Sequence, residues 1–252
     1  MIELRDIKKA FGNQQVLDGV SLKIEQGDAA VIIGRSGGGK SVILKHVAGL
    51  MQPDAGTVLV DDIDISGKTE RELLEIRRKF GMLFQHSALF DSMSVEENVG
   101  FVLRREGRLT SGEIGNKVAE ALEMVDLAGT QKKKPAELSG GMRKRVGLAR
   151  AIIYQPEIVL YDEPTTGLDP VAADSIDRLI KRVCDSLHVT SLVITHDMRS
   201  MQAVGKKVFM LHEGRIYATG TPAEMMNSTD PVIHRFVNGI SVTEPEELVN
   251  HE

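Results

Sequence analysis

The chain has 252 residues and a formal net charge of −5, a length that buries a substantial core and suits one large or two small domains. The negative balance argues against a dedicated nucleic-acid binder, which carries a basic surface. Cys184 is the single cysteine, which excludes a disulfide framework, and no apolar run approaches the roughly 20 residues that span a bilayer. The start, Met1-Ile2-Glu3-Leu4-Arg5, lacks a basic-then-apolar export signal. Any membrane role is therefore expected to come through a partner.

Residues 1–33 read as β structure. Val20, Leu22 and Ile24 alternate with Ser21, Lys23 and Glu25, as in a half-buried strand, and Gly12-Asn13 marks a hairpin turn. Phe11, just before that turn, has two readings. Composition favours a core aromatic, and position allows a ring stacked on a nucleotide base. Ala29-Ala30-Val31-Ile32-Ile33 is a short apolar run of the kind a doubly buried parallel strand needs. It leads directly into Gly34-Arg35-Ser36-Gly37-Gly38-Gly39-Lys40-Ser41, a G-x-x-x-x-G-K-S phosphate loop. Val42-Ile43-Leu44 and Val47-Ala48 then recur at helical spacing. Glycines let the backbone turn its N–H groups onto phosphate oxygens, and a helix N-terminus adds a favourable dipole. In this pattern Lys40 reaches the β- and γ-phosphates and the Ser41 hydroxyl is a Mg²⁺ ligand. The chain is expected to bind a nucleoside triphosphate.

Pro53-Asp54-Ala55-Gly56 reads as a turn, Thr57–Val60 as a strand, 69–79 as a short amphipathic helix, and Phe80–Phe84 as a buried strand ending in Gln85-His86. From about residue 90 to 155 helices replace strands. Ser94-Val95-Glu96-Glu97 has the form of a capping box. Val118, Leu122, Met124 and Val125 support a second helix, and Ser139-Gly140-Gly141 opens a third from Met142 to Ile153. The basic runs Lys132–Lys134 and Arg143-Lys144-Arg145 read as solvated faces.

Strand pattern resumes at Ile158-Val159-Leu160-Tyr161, followed by Asp162-Glu163-Pro164. At a strand's C-terminal end Asp162 is placed to hold Mg²⁺, directly or through water, and Glu163 to act on attacking water as general base. Helix 174–187 carries Ile176, Leu179, Ile180, Val183 and Leu187 on one face, where Cys184 reads as a small packing residue. Strand Ser191–Thr195 ends in His196-Asp197, and that histidine can reach a γ-phosphate or be structural. Val208–Leu211 and Arg215–Tyr217 form a hairpin around Glu213-Gly214. From about Thr221 a helix precedes a polar, Glu-rich tail.

Taken together, the separated pieces resemble an ATP-binding cassette (ABC) ATPase along nearly the whole chain. Residues 34–41 match Walker A, followed by Val42. Gln85 matches the Q-loop glutamine, and Leu138-Ser139-Gly140-Gly141-Met142 the signature loop. Ile158–Glu163 match Walker B, Gly167-Leu168-Asp169 the D-loop, and His196 the switch histidine. Met142 stands where most members have Gln, and Phe11 where many have Tyr. The resemblance implies an α/β fold, with a P-loop NTPase (RecA-like) core, an N-terminal antiparallel β subdomain and an inserted α-helical subdomain. Residues 1–89 and 156–220 would form the core with its β subdomain, 90–155 the helical insert, and 221–252 a C-terminal helix and tail that either contacts the partner copy, through Phe236 and Val237, or packs on its own subunit.

It further implies ATP and Mg²⁺ as cofactors. Lys40, Gln85, Glu163 and His196 would act catalytically, and Ser41, Gln85 and Asp162 would bind the metal. Phe11 would stack on the base. Two cassettes would pair head to tail, with Ser139, Gly140, Gly141 and Met142 closing over the partner's nucleotide. A lone cassette resembles a separate transporter subunit that docks on an integral-membrane permease. The segments 85–93, 138–146 and 230–239 are similar to the cassette of MCE-linked phospholipid transporters of the Mla type. That likeness implies an MCE-domain partner, a place on the cytoplasmic face of the inner membrane, and no nucleic-acid partner. An amino-acid importer cassette and a soluble, non-transport ABC ATPase are the alternatives.

Overall fold

The computed structural model describes residues 1–240. Strands β1 (Ile2–Phe11) and β2 (Gln14–Ile24) form an antiparallel hairpin about Gly12-Asn13, where Gly12 takes the left-handed conformation at φ 58°. Next come β3 (Ala29–Gly34), α1 (Lys40–Val47), β4 (Ala55–Val60), β5 (Ile63–Asp64), α2 (Glu70–Arg77) and β6 (Phe80–Leu83). Helices α3 (Val95–Val99), α4 (Phe101–Glu106), α5 (Ser111–Met124) and α6 (Gly140–Ile152) intervene before β7 (Ile158–Asp162). The remainder is α7 (Pro170–Leu187), β8 (Thr190–Ile194), α8 (Met198–Val204), β9 (Lys207–His212), β10 (Arg215–Gly220), α9 (Pro222–Met226) and α10 (Pro231–Val237).

Two sheets result, a four-stranded antiparallel one in the order β2-β1-β4-β5 and a six-stranded one in the order β10-β9-β3-β8-β7-β6. In the second, β9, β3, β8, β7 and β6 run parallel, with β10 antiparallel at the edge. Side chains alternate across a strand, so each parallel strand feeds two cores. Val31, Ile33, Val159, Tyr161 and Val193 join a cluster with side chains from α3 and α5–α8. Ala30, Ile32, Ile158, Leu160, Leu192 and Ile194 join another with α1 and the antiparallel sheet. Burial on both faces is why these strands read as unbroken apolar runs. Each fully buried aliphatic side chain contributes about 1.5–3 kcal/mol relative to exposure.

The register sets the site. Leu83 pairs with Tyr161, Tyr161 with Val193, Asp162 with Ile194, and Ile194 with Ile32. The loops after β3, β8, β7 and β6 therefore leave one edge of the sheet side by side. They carry the phosphate loop, His196, Asp162-Glu163 and Gln85. Carboxyl ends of parallel strands are where open α/β sheets bind ligands.

Several element boundaries differ from the sequence expectation. α7 starts at Pro170 rather than 174, because Asp169 Oδ1 accepts from the Val171 and Ala172 amides, both at 3.0 Å, and proline suits the first helical position. The expected strand at Thr57 begins at Ala55. Helix α8 has no counterpart in the sequence reading; Asp197 caps it by accepting from the Arg199 amide at 2.8 Å. One helix from Thr221 becomes two, since Pro231 lacks an N–H and Asp230 caps a fresh start. The Ser94–Glu97 capping box forms as expected, and Thr69–Glu72, Thr110–Glu113 and Thr221–Glu224 repeat it. The expected Glu-rich tail over 241–252 lies outside the described residues.

One buried polar chain ties α7 to α8. Ser200 Oγ donates to Asp177 Oδ2 at 2.7 Å and meets Thr165 Oγ1 at 3.1 Å, while the buried Asp177 Oδ1 has no partner. Burial, reinforced by Asp197 and Asp174, pushes the Asp177 carboxyl up to about 6 against the pull of Ser200. A folded-state value above the unfolded one means that the native state binds more protons between roughly pH 4 and 6. This contribution to stability is present at low pH and lost as pH rises through about 6. Asp177→Asn removes that dependence. From pH 5 to pH 8 the variant should gain about 1–1.5 kcal/mol relative to wild type in urea unfolding. A parallel pH trend for the two proteins would contradict the assignment.

Candidate functional site

The loop after β3 turns through Gly37 and Gly39, both left-handed, and delivers Lys40 and Ser41 at the start of α1. Gly39 sits at φ 101°, and a Cβ there would lie 2.9 Å from Leu17 Cδ2 and 3.0 Å from Val16 Cγ1. Both conformation and space require glycine. Gly39→Ala is expected to weaken Mg-ATP binding at least ~10-fold through this strain; equal affinity by calorimetry would refute it.

Ser36, Gly37, Gly39, Lys40, Ser41 and Val42 line a cavity of about 450 Å³. Phe11, Gln85, Glu163 and His196 line the same cavity. Arg35, Gly37 and Gly38 line an adjoining one beside Glu213-Gly214. Gly34 ends the strand, and its carbonyl accepts from Lys40 Nζ at 2.9 Å, with the Arg35 carbonyl at 3.1 Å. The Lys40 ammonium is 5% exposed and lies 3.6 Å from Glu163 Oε1. It is a buried cation at the centre of an anion cradle. The other oxygen of Glu163 is 2.7 Å from His196 Nδ1 and accepts from Thr166 Oγ1 at 3.2 Å. Glu163 holds this position at φ 48°, a strained conformation for a residue with a Cβ.

Ser41 Oγ donates to Asp162 Oδ1 at 2.8 Å. This hydroxyl–carboxylate pair fits Mg²⁺, which takes one or two protein oxygens and fills its octahedron with water and phosphate oxygens. Among the described residues no cluster of three or more His, Cys, Asp or Glu could hold a metal ion.

Ser139, Gly140, Gly141 and Met142 do not line the cavity. They form the N-terminus of α6, where Ser139 Oγ accepts from the Met142 amide at 3.2 Å. A Cβ on Gly140 would touch Leu168, and one on Gly141 would reach Ala172. The signature stretch thus sits beside the start of α7. Met142 packs partly against the larger core.

Two sequence readings change, and the sequence does not single out one site residue. Phe11 is 47% exposed and lines the cavity, so the core-aromatic reading fails. Lys144, which reads in the sequence as part of a solvated basic run, is buried. Thr166 joins the site without standing out in the sequence, where a hydroxyl three residues after Glu163 is the available signal. Cys184 behaves as expected: it packs against the core 3.6 Å from the Tyr161 hydroxyl, and burial pushes its thiol pKa up.

A glycine-rich loop around a buried lysine, a hydroxyl–carboxylate pair and an acidic residue beside a histidine, all at one edge of a parallel sheet, are the features of a nucleoside-triphosphate site. The ABC transporter family profile matches residues 17–166. The "Probable ribonucleotide transport ATP-binding protein mkl" of Mycobacterium leprae is 41% identical over 94% of this chain and 69% of its own length; the Mycobacterium bovis counterpart is matched over 66% of its length, just under two thirds. The Haemophilus influenzae intermembrane phospholipid transport system ATP-binding protein MlaF is 36% identical over 96% of this chain and 91% of its own length. The methionine import ATP-binding protein MetN of Rhizobium johnstonii is 42% identical over 87% and 60%. Among solved structures, a dimeric ATP-binding cassette bound to ADP and phosphate superposes with a TM-score of 0.81 at 32% identity, covering 88% of this chain and 99% of that one. The chain belongs to the ABC transporter family, and its fold is that of an ABC ATPase cassette. Members bind ATP with Mg²⁺ and hydrolyse it. Among the described residues no helix is long and apolar enough to cross a membrane.

Proposed function

We propose that this chain is the ATP-hydrolysing subunit of a membrane transporter that moves phospholipid between inner and outer membranes. It works as a pair of copies on the cytoplasmic face of the inner membrane, beneath a permease with an MCE-domain partner. The observation that carries the ATPase roles is the convergence of Lys40, Ser41, Gln85, Glu163 and His196 on one cavity. Phe11 offers its exposed ring to the base. Lys40 and the loop amides hold the phosphates, and Ser41, Asp162 and Gln85 hold Mg²⁺. Bound Mg²⁺ neutralises charge developing on the phosphoryl oxygens. Glu163 orients and deprotonates the attacking water, and His196, fixed by its contact with Glu163, faces the transferring phosphoryl group.

The α6 N-terminus, with Ser139, Gly140, Gly141 and Met142, faces the partner copy's γ-phosphate as a second anion site. ATP then joins the copies, and hydrolysis with phosphate loss releases them. Residues 90–155 act as the helical unit carrying this signature. The C-terminal segment from 221 adds a dimer contact or packs on its own subunit, the latter favoured by Ile233 and Val237, which are buried in this chain's larger core.

Support for the lipid cargo comes from the phospholipid-transport relative, which is matched over nearly its whole length. The methionine-import and ribonucleotide-transport relatives are at least as identical, so a different cargo is the second reading. A tagged copy purified from detergent-solubilised membranes of its host tests both. A polytopic permease with an MCE-domain protein and phospholipid is the expected result. A permease with a solute-binding protein would retain the motor and refute the cargo. Recovery without any membrane partner would refute transport.

A further inference from the structure

The loop carrying Gln85 is gripped from one helix. Lys144 Nζ, on α6, donates to the Gln85 carbonyl and lies 3.4 Å from the Glu163 carbonyl. Six residues on, Arg150 donates to the Ser87 carbonyl at 2.6 Å and the Ala88 carbonyl at 2.7 Å. Between them, a Cβ on Gly147 would come 2.7 Å from Leu83 Cδ1 and 3.3 Å from Ser87 Cβ, so α6 approaches the loop as closely as glycine permits. Positions 144, 147 and 150 share a helix face. The loop itself needs such holding. Ser87 and Ala88 sit at φ 60° and 45°, conformations that residues with a Cβ adopt at a cost.

Lys144 is the unusual member. It is 5% exposed, and none of its hydrogen bonds goes to a carboxylate. Buried lysines are rare unless partnered. Here the ammonium is held by two backbone carbonyls and by the nearby charges of Asp162 and Glu163, while burial pulls its pKa down. A side chain needed only for packing would not place a cation at that spot.

We infer that Lys144 is a positioning residue, a buried cation that joins the backbones of Gln85 and Glu163 to the signature helix and so sets both groups for hydrolysis. It does not line the nucleotide cavity. Because Ser139 caps the same helix, a displacement of the α6 N-terminus is carried in one rigid element to Gln85 and Glu163. The inference rests on the roles proposed above for those two residues.

The test compares Lys144→Met, which keeps the stem and removes the cation, with Lys144→Arg. For Lys144→Met, kcat for ATP should fall about 10-fold or more while the ATP Kd stays within about twofold. Lys144→Arg should recover most of that loss. In nucleotide-free protein, backbone deuterium uptake across residues 84–89 should rise in Lys144→Met and stay at the wild-type level in Lys144→Arg. Unchanged uptake or unchanged kcat in Lys144→Met overturns the inference. So does a loss of kcat, Kd and Tm in step, which is the mark of general damage. The exchange readout does not depend on catalysis, and the roles of the site residues fail separately if Glu163→Gln turns over normally.

Discussion

Glu163→Gln is expected to reduce steady-state ATP turnover by about 10²–10⁴-fold, the range set by loss of a general base, while leaving the ATP Kd within a few-fold. The geometry separates these effects. Gln has the same shape and keeps an acceptor for Thr166 Oγ1, which lies 3.2 Å from Glu163 Oε2, so the side chain remains seated. Its carbonyl can still accept from His196, 2.7 Å away, when Nδ1 carries the proton. An amide cannot take a proton from water, so chemistry stops where binding continues. Removing negative charge 3.6 Å from Lys40 also leaves that ammonium freer to attract phosphate, so binding should not weaken. Phosphate release measured beside equilibrium binding on one preparation distinguishes the outcomes. Undiminished release would remove Glu163 from the base role.

Lys40→Met should have the opposite signature. The ammonium is buried at the floor of the cradle, held by the Gly34 and Arg35 carbonyls at 2.9 and 3.1 Å. Phosphate oxygens would exchange these neutral acceptors for charged ones, and a hydrogen bond to a charged group contributes about 1.5–3 kcal/mol. Methionine can donate neither of these hydrogen bonds, so the ATP Kd should rise on the order of 10²-fold or more, and turnover should fall with it. Lys40→Arg should not restore binding, because a planar guanidinium does not fit a cradle built around a compact ammonium. Calorimetric titration with Mg-ATP checks this, and an affinity within threefold of wild type would contradict it.

Much of this molecule is legible before folding, for physical reasons. Val31-Ile32-Ile33 and Val159-Leu160-Tyr161 read as strands because both their faces are buried. The phosphate loop reads clearly because its glycines, lysine and serine have separate chemical duties at fixed spacing. Elsewhere tertiary context decides. Nothing local distinguishes Lys144 from Arg143 and Arg145, and only the approach of α6 to the Gln85 loop buries it. Phe11 has a core residue's composition, but the hairpin places it at the cavity rim. Asp197 caps α8 and Asp169 caps α7, yet both aspartates sit in stretches that read as nucleotide-site motifs rather than as helix starts. Asp177 could not be seen as a buried acid until α8 brought Ser200 against it.

The phosphate cradle and the signature end of α6 stand apart in one chain, and the function proposed above completes the site with a second copy across the nucleotide. Sedimentation of the Glu163→Gln variant with and without Mg-ATP tests this most directly, since hydrolysis cannot release a dimer once formed. A species of twice the chain mass that appears only with Mg-ATP is the predicted result. A single-chain species at saturating Mg-ATP, with nucleotide demonstrably bound, would contradict the shared site.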